Sequence, residues 1–215
     1  MSPSSDPLTF AALLVYTPRY RDVAGTGVRP RKVMGWVKDA RRDVLERIAT
    51  LCRERESTAF EGVLGPDATL VPIPRSAPRR TDDTLWPGLS LARALYEQGL
   101  GRDVQQLLER TRAVPKAHGS PGGGRPDVST LSGSLRWRGD LGSDLERVVL
   151  VDDVVTRGTT FLSARDVIRS VQPGLEVEGF AAIRTMSFEV VETPVDPVRG
   201  TITLASNGRW GWREP

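Results

Sequence analysis

The segment from Arg147 to Ile183 constrains the fold more than any other part of the 215-residue chain. VVLV at 148–151 is a continuous apolar run, which suits a strand buried on both faces. From Thr159 to Val171, Phe161, Leu162, Ala164, Val167, Ile168 and Val171 recur at three- and four-residue spacing, the stripe of an amphipathic helix. LEVEGFAAI, Leu175 to Ile183, predicts a second strand. Strand, helix, strand implies a parallel βαβ unit, and with it an α/β sheet covered by helices on both faces.

The remaining segments fit around that unit. LTFAALLVYTPRY near the start is apolar and β-like, and the turn-rich DVAGTGVRP follows it. From Pro30 to about Glu56, the spacing of Val33, Met34, Val37, Val44, Leu45, Ile48 and Leu51 predicts one amphipathic helix. Ala68 to Ile73 predicts a short buried strand that must turn at Pro74. Leu89 to Leu100 predicts a helix closed by Gly99 and Gly101, while Val104 to Leu108 fits strand or helix. Between about 110 and 136 the chain is rich in Gly, Pro and Ser. A loop of that length is usually functional or disordered, and a mobile one is expected. VRGTITLASNGRWGW near the end reads as a hairpin or short strands.

Composition narrows the function. With 39% apolar and 27% charged residues the chain is an ordinary globular protein. A net charge of +3 weakly favours anionic ligands. No Lys/Arg block, zinc-finger spacing or aromatic RNA-binding signature occurs, so nucleic acid is not an expected partner. One Cys and one His cannot make a structural zinc site. The longest apolar run, Phe10 to Tyr16, falls short of the roughly 20 residues that span a bilayer, so no membrane contact is expected. MSPSSD lacks the basic start and apolar stretch of a secretory signal, and with a lone Cys52, a core filler on a helix, a cytoplasmic location is expected.

Two adjacent acids, Asp152 and Asp153, follow the apolar run, and TRGTT stands where the next helix begins. In open α/β sheets ligands bind beyond the carboxyl ends of the strands, where a helix presents unpaired N–H groups. The N–H groups of Thr156, Arg157, Gly158, Thr159 and Thr160, with three threonine hydroxyls, suit a phosphate. Gly158 lets the backbone approach closely, and Gly158→Val is expected to block a phosphate while leaving the fold intact. Ionised carboxylates accept hydrogen bonds, which suits vicinal hydroxyls, directly or through hydrated magnesium. A phosphorylated pentose satisfies both halves. No GxxxxGK[ST] loop supports a nucleoside-triphosphatase, and too little chain follows Asp153 for a response-regulator receiver.

VVLVDDVVTRGTT resembles the 5-phosphoribosyl-1-pyrophosphate (PRPP) motif of type I phosphoribosyltransferases. VPIPR (71–75), RTRAVPK (110–116), FAAIRT (180–185) and VMGWVKDAR (33–41) resemble segments of the ComF-like branch: the pyrophosphate loop, the start of the mobile catalytic loop, the strand after the motif helix, and a helix before the core. Two features of that branch have no counterpart: an N-terminal cysteine pair, and an Arg-Gly-Phe-Asn-Gln stretch, where this chain has RRTDDTLWPG. The acceptor, and any link to DNA uptake, therefore stay open.

The resemblance implies a mainly parallel twisted sheet flanked by helices, in a single domain. A small hood would come from about 1–66 and 186–215, over a core of about 67–185 that includes a mobile loop at about 110–136. It implies a glycosyltransferase of nucleotide metabolism that moves ribose 5-phosphate from PRPP to a small acceptor, a nitrogenous base, and releases pyrophosphate. The alternative is a silent PRPP-binding regulatory module. Asp152 and Asp153 would act in catalysis, holding the ribose hydroxyls and, through water, Mg2+. Val154, Val155 and Thr156 to Thr160 complete the PRPP site, Pro74, Arg75 and Ser76 form the pyrophosphate loop, and Arg112 and Lys116 belong to the mobile loop. A homodimer is one of the open oligomeric states.

Overall fold

The computed structural model describes residues 6–17, 28–54, 59–78, 81, 84–115, 126–140, 145–186, 191 and 193–215. Seven strands form one mostly parallel sheet: β1 (Leu8–Tyr16), β2 (Thr69–Pro72), β3 (Asp103–Val104), β6 (Arg147–Val155), β7 (Glu176–Thr185), β8 (Val195–Leu204) and β9 (Gly211–Glu214), in the order β3-β2-β6-β7-β1-β8-β9. From β3 to β1 every pairing is parallel, and β8 and β9 add antiparallel strands at one edge. The pair β4 (Leu108–Arg110) and β5 (Leu135–Trp137) forms a small separate antiparallel ladder.

The alternation of β6 explains the layers. Val149 and Val151 pack with α1 (Val28–Lys38), α2 (Arg42–Glu54) and α3 (Pro87–Glu97) through Val37, Leu45, Ile48, Leu91 and Leu95. Val148 and Leu150 belong to the opposite core, with Phe161, Leu162 and Ile168 of α5 (Thr159–Val171) and Val128 of the short α4 (Val128–Ser132). An uninterrupted apolar run is what a strand covered on both faces requires. β1 is of the same kind, with eight of its nine residues buried, and it runs between β7 and β8 inside the sheet. The chain ends expected in a hood thus supply three strands of the main sheet. Among the described residues no helix is long and apolar enough to cross a membrane.

Three sequence expectations change. The single helix from Pro30 to Glu56 is two helices, α1 and α2. Ala40, at φ 50°, ends α1 in the left-handed region, and the bonds Arg41 N to Trp36 O (3.0 Å) and Ala40 N to Val37 O (3.0 Å) close it as a Schellman motif. The expected loop at 110–136 holds ordered structure, since Arg110 belongs to β4 while α4 and β5 lie within the expected span. Asp127 caps α4 by accepting from Thr130 N at 2.8 Å. Finally, β6 does not stop at Val151 but continues to Val155, because β7 is long enough to pair with it through Arg184.

Candidate functional site

The carboxyl ends of β2 and β6 border a cleft of about 380 Å3. One wall is the turn from β6 into α5. Gly158 caps α5 at φ 78°, a left-handed conformation that side chains rarely adopt. Among the described residues, the N–H groups of Arg157, Gly158, Thr159, Thr160 and Phe161 have no acceptor. A helix start leaves its first N–H groups unpaired, and successive free N–H groups through a left-handed residue form a concavity for an anion.

The hairpin β8–β9 backs this turn. A Cβ on Gly158 would lie 2.5 Å from Ile202 of β8, so the position needs glycine for packing as well as conformation. This corrects the expectation that Gly158→Val blocks a phosphate and spares the fold. Gly211 of β9 donates its N–H to Thr159 Oγ1 at 3.0 Å. Arg157 extends over Trp210, 5.5 Å from the ring centroid, and both line the cleft. Arg213 donates from Nε to Thr156 O at 2.9 Å and from Nη2 to Thr185 O at 2.6 Å.

Asp152 and Asp153 are half-buried residues of β6 that line the same cleft. Neither forms an ion pair among the described residues; Asp152 Oδ1 accepts from Asp153 N at 2.9 Å. Burial raises the Asp152 carboxyl well above the usual carboxylate range, and the adjacent Asp153 charge and a hydrogen bond to its side chain raise it further. Lys38, at the end of α1, opposes that shift by its charge and also lines the cleft. Among the described residues no group of three potential metal ligands occurs. Two carboxylates suit a magnesium ion that keeps its waters and takes its other ligands from a substrate, and do not suit an all-protein metal cage.

The third wall is the turn after β2. Ile73 N donates to Val151 O at 2.9 Å, and Trp86 Nε1 to Ile73 O at 2.7 Å, which fixes where the strand ends. Ser76 O accepts from Val114 N at 2.7 Å. Arg110, buried at 4% exposure, donates from Nε to Arg75 O at 2.9 Å, from Nη2 to Pro74 O at 3.4 Å, and from Nη1 to Ser134 Oγ at 2.6 Å. Burial pushes its guanidinium down to about 10, against the raising effect of the Asp152 charge. A second cavity of about 530 Å3 lies beyond this turn and shares Pro74, Arg75, Trp86 and Arg110 with the first.

The structure brings Pro74, Arg75, Ser76 and all of Asp152 to Thr160 to one cleft, Val154 and Val155 included. Arg112 is not among its lining residues; it is exposed and lies beside Gly133. Lys116, His118 and Arg125 lie outside the described residues. Sequence reasoning missed Lys38, Trp86 and Arg213, and it assigned Arg110 to a closing loop. RTR in a basic stretch was a signal for Arg110, but Arg213 had none, because its contact depends on where β9 docks. No family model matches this chain, and no curated protein matches it.

Proposed function

We propose that the chain is a type I phosphoribosyltransferase of the ComF-like branch, which transfers ribose 5-phosphate from PRPP to a small nitrogenous-base acceptor and releases pyrophosphate. One observation carries the reading: a carboxylate pair without an ion pair and a row of N–H groups without an acceptor, among the described residues, open with the Pro74–Ser76 turn into a single cleft of about 380 Å3. In this reading the 5-phosphate takes the N–H groups of Arg157 to Phe161, the ribose hydroxyls donate to Asp152 and Asp153, and the pyrophosphate meets Arg75 and Ser76. Lys38 at the end of α1 and Trp210 in the β8–β9 hairpin, both within the stretches expected to form a hood, reach the cleft in this reading.

Transfer breaks the bond from ribose C1 to pyrophosphate, whose oxygen keeps the electron pair, and forms a bond from C1 to an acceptor nitrogen. Positive charge grows on the ribose as the bond lengthens. Ionised Asp152 and Asp153 favour that charge at short range, and the cations and N–H groups near Pro74–Ser76 favour the departing anion. Asp152 and Asp153 would hold a magnesium ion, which would supply further positive charge for the leaving group.

A silent PRPP-binding module is the second reading, favoured by RRTDDTLWPG standing where the branch has its Arg-Gly-Phe-Asn-Gln stretch. Incubation with PRPP, magnesium and a panel of nucleobases, with detection of pyrophosphate, separates the two. Release with at least one base is the expected result. Calorimetric binding of PRPP without release for any base supports the module, and no binding overturns both.

A further inference from the structure

Two arginines outside the sequence motif stand behind the two loops of the cleft. Arg110 is buried and Arg213 half-buried, and among the described residues neither pairs with a carboxylate. Burial pushes both guanidinium groups down to about 10. A buried guanidinium without a carboxylate is costly unless its N–H groups are satisfied, and here backbone carbonyls satisfy them. Arg110 takes Pro74 O and Arg75 O; Arg213 takes Thr156 O and Thr185 O.

The consequence is geometric. A trans peptide holds each C=O and the next N–H on opposite sides, and the described chain contains no cis bond. With the Pro74 and Arg75 carbonyls drawn to one guanidinium, the N–H groups of Arg75 and Ser76 both turn away from it. With the Thr156 carbonyl drawn to Arg213, the Arg157 N–H turns away in the same manner. None of these three N–H groups has an acceptor among the described residues, and all three residues line the cleft. Strand β9 lies directly on its loop: a Cβ at Gly211 would be 2.4 Å from Arg157 O and 2.9 Å from Thr159 N. Because Thr159 Oγ1 accepts from Gly211 N, the hydroxyl keeps its own proton for a ligand.

We propose that Arg110 and Arg213 are positioning residues, each holding the N–H groups of one loop open to an anion: Arg110 for the pyrophosphate group and Arg213 for the sugar phosphate. The identity of the two anions rests on the phosphoribosyl reading; the division of labour does not follow from it.

The test uses the full chain and its Arg110→Gln and Arg213→Gln variants, with calorimetric titration of ribose 5-phosphate and, separately, of pyrophosphate with magnesium. Arg213→Gln is expected to weaken ribose 5-phosphate about tenfold and pyrophosphate less than about twofold; Arg110→Gln should give the reverse. General loosening of the fold does not produce such a crossed pattern. Equal losses for both ligands, or no loss in either variant, overturn the proposal while leaving the phosphoribosyl reading in place. A wild-type chain that binds neither ligand overturns both. If circular dichroism shows a glutamine variant unfolded, Arg110→Lys and Arg213→Lys take its place, since lysine keeps the charge and loses the fork. The same crossed pattern is then expected at smaller size, and its absence overturns the proposal.

Discussion

Burial and the neighbouring Asp153 charge both disfavour an ionised Asp152, and among the described residues no ion pair offsets either effect. A protein keeps such a pair when a ligand supplies the missing donors, and the cost should be measurable. The Asp152 carboxyl is raised in the folded state, so the folded chain holds its proton longer than the unfolded chain does. Stability is then greatest below the unfolded carboxyl value of about 4 and falls as pH rises towards the folded value. Asp152→Asn removes that loss, and its unfolding midpoint in urea should gain on wild type as pH rises. Binding runs the other way. Ribose hydroxyls donate to ionised oxygens, so PRPP affinity should rise with pH over the same range, while Asp152→Asn with Asp153→Asn should lose at least about tenfold, each such bond contributing about 1.5–3 kcal/mol. Calorimetry checks both, and a flat pH profile would deny the carboxylates their role. At Gly158 the constraint is packing and conformation together. Gly158→Ala should cost about 2 kcal/mol of stability, and less when made on an Ile202→Ala background, where the clashing side chain is already gone and only the positive φ remains.

At the scale of elements, α1 carries a correctable strain. Ala40 occupies the left-handed position after α1 that glycine normally takes. Ala40→Gly should therefore stabilise the chain by about 0.5–1 kcal/mol, a rise in melting temperature of roughly 1–4 °C that calorimetry can resolve. The same residue shows why the α1–α2 break was not legible: with no Gly or Pro between Trp36 and Val44, the apolar spacing runs through the turn unbroken. α5 was read at its observed bounds because its apolar stripe, its glycine cap and the strand before it all agree. β6 was read four residues short, because Asp152 and Asp153 are poor strand formers and their place in the ladder depends on the length of β7. The motif side of the cleft was therefore visible in the sequence, and the supporting side was not. Arg110 and Arg213 act on carbonyls 35 and 57 residues away along the chain, and no local pattern encodes such a pairing.

Across the whole molecule, the two ends of the parallel sheet carry opposite kinds of polar group. At the carboxyl ends of β2 and β6 stand the Asp152–Asp153 pair, with no ion pair, and N–H groups with no acceptor, among the described residues. At the amino ends, the Arg147 guanidinium, at the start of β6, pairs with Glu178 at 3.2 Å and with Asp67 at 2.9 Å, and donates to Val63 O at 2.7 Å and to Gly62 O. The side chains of Arg147 and Glu178 are 10% and 7% exposed, so this pair is largely desolvated, and removing one partner leaves a buried charge. Arg147→Met should accordingly cost about 3 kcal/mol or more of stability while leaving PRPP affinity unchanged, because the cleft lies at the far end of the strands. The loss should also depend on pH. Burial already raises the Glu178 carboxyl, and Arg147 works against that rise. Without Arg147 the folded chain holds the Glu178 proton still more tightly, so its stability falls faster as pH increases. Urea unfolding at about pH 5 and about pH 8 should show the larger deficit at the higher pH. An equal deficit at both would mean that Glu178 finds another cation when Arg147 is gone, Arg199 being the neighbour whose charge already acts on it.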